Sequence, residues 1–185
     1  MAHFDFPGLG VGAAVQGSQL RAAFRAALGD GAPLSDIAAQ LGRFVRADLA
    51  DAAPVRGWLI RIDRDARRLQ ALGLGQEGLL CRRGGKVEVI AAQAGPLGTE
   101  AVADAGEIVE LTLAAGDLIV LASDGVLDAL NVERSQFGSK GVARAMEQLG
   151  EASPAEVITG LRRDLEIYTK GAAGDRTLVV VRLTD

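Results

Sequence analysis

Apolar and polar positions recur at two different periods along this chain of 185 residues. In the first quarter the apolar positions repeat at three and four. Leu20, Phe24 and Leu28, with Ala23 and Ala27, share one helical face that begins near Ala13. After the break "GDGAPLSD", where Ser35 or Asp36 is placed to cap, Ile37, Leu41, Phe44, Val45 and Leu49 line a second helix. From Pro54 the period changes to two. Val55 to Ile62, Leu69 to Leu74, Gly78 to Arg82 and Lys86 to Ile90 read as four strands of an antiparallel meander, separated by the turn signals "DRDA", "GQE" and "RGG". Ile108 to Leu113 and Leu118 to Ala122 read as a further pair about "AAGD". Two helices, Lys140 to Leu149 and Pro154 to about Tyr168, precede a closing strand in "RTLVVVRL". Helices, strands, helices and a last strand predict an α+β fold with mainly antiparallel sheet. No linker or repeat divides the chain, so residues 1–185 are expected to form one domain.

Composition narrows the function classes. A net charge of -4 argues against a nucleic-acid surface, and Arg61, Arg64, Arg67 and Arg68 are interleaved with Asp63 and Asp65 in what reads as a solvated hairpin edge. No apolar run approaches the ~20 residues that span a bilayer, and no signal peptide opens the chain, so a cytoplasmic protein with no membrane contact is expected. Cys81 is the only cysteine, which excludes an internal disulfide or a thiolate zinc site; it reads as a small buried hydrophobe. His3, the only histidine, lies at an end expected to fray, so a Ser-His-Asp triad is set aside.

Carboxylates remain. They stand at the ends of elements in "DFPGLG" (Asp5), "SDGVLD" (Asp124 and Asp128) and "AGDRT" (Asp175). Asp124 follows a buried strand and opens a helical pattern, where a carboxylate can cap the free N–H groups or point outward as a metal ligand. Asp128, one turn on, reads as a solvated helix residue, and Trp58 and Tyr168 read as packing residues. Together the three acidic segments suggest a hard cation, since Mg²⁺ and Mn²⁺ prefer a few carboxylate and carbonyl oxygens.

These segments resemble, in order, the motifs of the metal-dependent protein phosphatases (PPM, or protein phosphatase 2C-like), in the bacterial SpoIIE and sigma-regulator branch. "DFPGLGVGAA" is similar to that family's Asp-x-x-Gly-x-Gly loop and following helix, with Gly8, Gly10, Ala13 and Ala14 in register. "AGPLGT", "LAAGDLIVLASDGVLDALN" with Phe137 and Gly138, and "GDRTLVVVRL" follow as the later motifs. The resemblance implies an α-β-β-α sandwich of two antiparallel sheets flanked by helices. It also implies a metal-activated water that attacks phosphoserine or phosphothreonine without a covalent enzyme intermediate. By motif position Asp5 would bridge the metals, the carbonyl of Phe6 would add an oxygen, and Asp124 would hold the first metal, with Mn²⁺ or Mg²⁺ as the one or two ions.

The chain departs from the pattern in four places. The closing ligand position, three residues before Thr177, is Gly174, so Asp175 would have to substitute. The family's outer N-terminal strands are expected to be absent, which would leave sheet edges open to a second copy or a strand-donating partner. The Asn and His of the family's meander turn are replaced by Gly73 and Gln76 in "GLGQEGLL". In another register "PGLGVG" matches the glycine loop and Pro7 replaces the bridging Asp; Ala13 and Ala14 favour Asp5. The resulting expectation is a phosphatase acting on a phosphorylated regulatory protein of the anti-anti-sigma type. The alternative is a catalytically inactive module of the same fold that binds or scaffolds a signalling assembly.

Overall fold

The computed structural model describes residues 1–6, 8, 10–29, 31–49, 54–75, 78–99, 106–171 and 175–184. They fall into two compact units, Met1–Gln76 with Ala92–Thr112, and Glu77–Ala91 with Leu113–Asp185.

The first unit holds β1 (Ala2–Asp5), α1 (Gly10–Ala27), α2 (Leu34–Asp48), β2 (Arg56–Asp63), β3 (Arg68–Leu74) and β6 (Val109–Thr112). Its sheet runs β1-β2-β3-β6, all antiparallel. Leu20 and Ala27 of α1 and Ile37, Ala38, Leu41 and Val45 of α2 bury against Leu59, Leu72 and Leu74, the predicted stripes of two helices meeting one face of the sheet. Leu28 ends its stripe outside α1 and about half exposed. Neither Ser35 nor Asp36 caps α2. The helix starts at Leu34, after Pro33 in an extended conformation (ψ 147°), because proline needs no N–H partner at such an end.

β1 corrects the expectation of a frayed terminus. His3 lies opposite Trp58 and Asp5 opposite Arg56, and the Met1 ammonium donates to the Ile60 carbonyl at 2.7 Å. Trp58 is fully buried, as a packing residue should be. Gly73, one of the departures from the family pattern, is demanded by that packing. A Cβ there would come within 2.6 Å of the Ala92 Cα and 2.7 Å of the Trp58 ring, so no asparagine fits without backbone movement.

The second unit holds β4 (Leu79–Arg83), β5 (Lys86–Ile90), β7 (Leu118–Ala122), α3 (Asp124–Leu127), α4 (Gly138–Leu149), α5 (Pro154–Thr169) and β8 (Leu178–Arg182). Its sheet runs β5-β4-β7-β8, again antiparallel. Gly84 and Gly85, both at positive φ, make the tight β4–β5 hairpin turn, whose twist matches that of the strands. Val142, Ala145 and Met146 of α4 and Val157, Leu161 and Leu165 of α5 cover Leu80, Leu118 and Val120. A capping box between Ser153 and Glu156, with Pro154 at the first turn, starts α5 and contributes about 1 kcal/mol. Glu151 accepts from Arg82 at 2.9 Å and Arg182 at 3.3 Å, tying β4 and β8 to the α4–α5 connection. The Arg82 hydrogen bond holds the exposed Glu151 carboxyl below its ordinary range.

Two strand expectations are corrected. The four-strand meander is divided: β2 and β3 belong to one sheet, β4 and β5 to the other. β6 and β7 do not pair about "AAGD"; β6 joins β3 and β7 lies between β4 and β8. Strand periodicity reports which residues are buried and carries no information on which strand lies alongside.

Cys81 is buried and its thiol is pushed up to about 12, chiefly by burial. The thiolate is the reactive form, so native protein at pH 8 is expected to resist iodoacetamide and denatured protein to react. Mass spectrometry of the two samples checks this; labelling at equal rates would contradict it. The raised value also has a sign for stability. Between pH 9 and 12 the unfolded thiol ionises while the folded one stays neutral, so the folded state loses stability as pH rises through that window.

Candidate metal centre

β7 is buried along its whole length, and its ladder with β8 pairs Leu118 with Arg182 through to Ala122 with Leu178. The next residue, Ser123, leaves the sheet and becomes the N-cap position of α3, and its carbonyl accepts from Val126 and Leu127 at 3.0 and 3.1 Å. Asp124 is therefore the first residue of that helix, half-buried, and not its cap residue. Asp128 closes α3, is exposed, and accepts from Gln136 at 2.9 Å, as expected of a solvated helix residue.

The loop entering β8 lies against this junction. A Cβ on Gly125 would overlap the carbonyl oxygen of Asp175, so the two backbones touch. The Ser123 N–H donates to the Thr177 carbonyl and the Thr177 N–H donates to the Ser123 hydroxyl, both at 3.0 Å. Asp124 and Asp175, predicted from separate segments, are thus carried by two turns in direct backbone contact, with the Asp175 residue exposed. Arg176 donates to Thr169 at 3.3 Å, fastening the same loop to the end of α5.

Asp5 and Phe6 belong to the first unit. Asp5 ends β1, half-buried, and the Phe6 ring packs 3.7 Å from where a Cβ on Gly17 would lie. Gly8 (φ 112°) and Gly10 (φ 78°) take conformations that other residues adopt with strain, and this explains the glycines of the loop that leads into α1. Pro7, Gln76 and Gly174 lie outside the described residues.

Among the described residues no three His, Cys, Asp or Glu side chains gather as a metal cluster. The donor chemistry nonetheless fits a hard cation. Carboxylate and carbonyl oxygens are the ligands Mg²⁺ and Mn²⁺ select, and Mg²⁺ keeps several waters and is often held by only one or two carboxylates. Ser123, Thr177 and Gly125 are the residues that sequence reasoning overlooked. Their only trace in the sequence is that Ser-Asp-Gly and Asp-Arg-Thr flank two long β-rich runs.

Solved structures share this architecture. The SiaA-PP2C domain of Pseudomonas aeruginosa matches with a TM-score of 0.83 at 24% identity, over 98% of this chain and 74% of that one. A structure of the PP2C phosphatase domain with a fragment of the regulatory domain of SpoIIE from Bacillus subtilis gives 0.82 at 22%, over 98% and 53%. RsbX in complex with magnesium gives 0.70 at 14%, over 99% and 80%. The chain spans about half of the SpoIIE chain it matches. No curated protein sequence matches it. The two four-stranded antiparallel sheets with flanking helices therefore define a PP2C-type phosphatase fold. The chain belongs to the Stage II sporulation protein E (SpoIIE) family, whose sequence profile matches residues 2–184.

Proposed function

We propose that residues 1–185 act as one metal-dependent phosphoserine/phosphothreonine protein phosphatase domain. Its protein ligands to Mn²⁺ or Mg²⁺ are Asp5, the Phe6 carbonyl, Asp124 and Asp175. The observation that carries this reading is the backbone contact between the turns bearing Asp124 and Asp175. It lets Asp175 take over the closing role that the family pattern gives to position 174. A bound divalent cation lowers the pKa of a coordinated water and offsets charge on the phosphoryl oxygens. The chain's own part is to fix its carboxylates in the strand-end geometry, so that little reorganisation accompanies binding. The substrate class is a phosphorylated regulatory protein of the anti-anti-sigma type, following the branch that the motifs resemble. β1 and β6 form the two edges of the first sheet, where a second copy or a strand donor would add.

A second reading has an observation in its favour. With no three-carboxylate cluster among the described residues, metal affinity falls with the ligand charge, and an inactive binding or scaffolding module becomes the alternative. Hydrolysis of p-nitrophenyl phosphate and of a phosphoserine peptide at millimolar Mn²⁺, abolished by EDTA, is the outcome expected of the enzyme. No turnover together with no calorimetric Mn²⁺ heat would leave the inactive module.

A further inference from the structure

The ladder between β7 and β8 ends in an unusual rung. Alternation along the strands makes Ser123 and Thr177 a pair that should exchange two backbone hydrogen bonds. Only one is made by backbone, from the Ser123 N–H to the Thr177 carbonyl at 3.0 Å. The Ser123 carbonyl has turned into α3, where it accepts from Val126 and Leu127. The acceptor for the Thr177 N–H is supplied instead by the Ser123 hydroxyl, at 3.0 Å, on a side chain only 6% exposed.

We propose that Ser123 is a positioning residue for the metal centre. Its hydroxyl replaces the missing ladder carbonyl and so sets how far the loop carrying Asp175 extends along the strand end that carries Asp124. Without that oxygen the chain must either leave the Thr177 N–H unsatisfied in a partly buried place or let the loop move away. Either result disturbs a loop in which neighbouring residues 174 and 175 differ in whether they carry a carboxylate at all. The Gly125–Asp175 contact leaves no slack in the same place, since the two backbones already touch. Glycine at 125 and serine at 123 thus serve one end: the first admits the loop, the second holds it.

This inference rests on the metal-dependent reading above, and its test separates the two. Titration calorimetry with Mn²⁺ alone is run on the full chain, on Ser123→Ala, on Ser123→Thr, and on Ser153→Ala. The last removes the cap at the far end of α5 and serves as a control for general destabilisation. Loss of an outer partner of a ligand-bearing element commonly weakens metal binding by about 10- to 100-fold. Ser123→Ala is expected to show that loss, Ser123→Thr, which keeps the oxygen, to recover most of it, and Ser153→Ala to bind as the parent does. Parent binding with an unchanged Ser123→Ala constant would overturn the role of Ser123 and leave the metal reading standing. No Mn²⁺ heat in the parent would overturn both. Hydrogen exchange in the parent gives a readout that survives a misfolded variant. The Thr177 amide should be protected as well as that of Ser123, and exchange at the rate of an open loop would defeat the proposal.

Discussion

Asp124→Asn is expected to lower Mn²⁺-dependent phosphomonoester hydrolysis by more than about 100-fold, while the protein melts within a few degrees of the parent. The substitution keeps the shape of the side chain and removes its charge. Changing a partner of a metal ligand already costs about 10- to 100-fold, and loss of a ligand itself should reach or exceed the upper figure. The fold has less at stake. Asp124 is half-buried at the first position of a four-residue helix, where a negative charge contributes about 0.3–1 kcal/mol. For a chain of this size that contribution taken alone corresponds to up to about 4 °C in Tm. Steady-state kinetics beside a thermal melt separates the two effects. Activity that survives the change would remove Asp124 from the metal centre.

Gly125→Ala is the change with the largest expected structural effect. The added methyl would overlap the Asp175 carbonyl oxygen, a backbone atom, so relief requires the closing loop to shift rather than a side chain to rotate. Forcing volume into a filled place costs about 1–3 kcal/mol, and about 2 kcal/mol lowers Tm by roughly 4–8 °C here. Mn²⁺ affinity should fall with it, because the displaced loop carries Asp175. Gly12→Ala is the matching control. It lies within α1 with open space around its Cβ position, and replacing a helical glycine there should stabilise by about 0.5–1 kcal/mol. A Gly125→Ala protein that melts with the parent would mean that the two turns do not touch.

Much of the secondary structure was legible because burial imposes a period. β5 occupies the residues that alternation marked, β7 those of an unbroken apolar run, and α5 begins at the proline that opened its pattern. β1 was not legible. Four residues at the head of the sequence are too few to show a period, and their pairing with β2 is a long-range event. The division of the strands between two sheets was hidden for the same reason, since β3 and β6 meet across more than thirty residues of chain. Gly73 illustrates the limit within one residue. As a letter it is a lost polar contact, while in the fold it is the space that Trp58 and Ala92 require.

The candidate site divides in the same way. By itself the order of residues determined the α+β class, the helical faces, and the three acidic segments whose succession resembles the PPM motifs, because each depends only on side chains close in the chain. Tertiary structure alone decided that Ser123 would lend its hydroxyl to Thr177, that Gly125 would admit the Asp175 backbone, and that Asp124 would open its helix without capping it. Those outcomes depend on where a carbonyl turns at the end of a strand. A backbone donor or acceptor must find a partner wherever the fold leaves it, and the identity of that partner emerges only when distant segments are packed together.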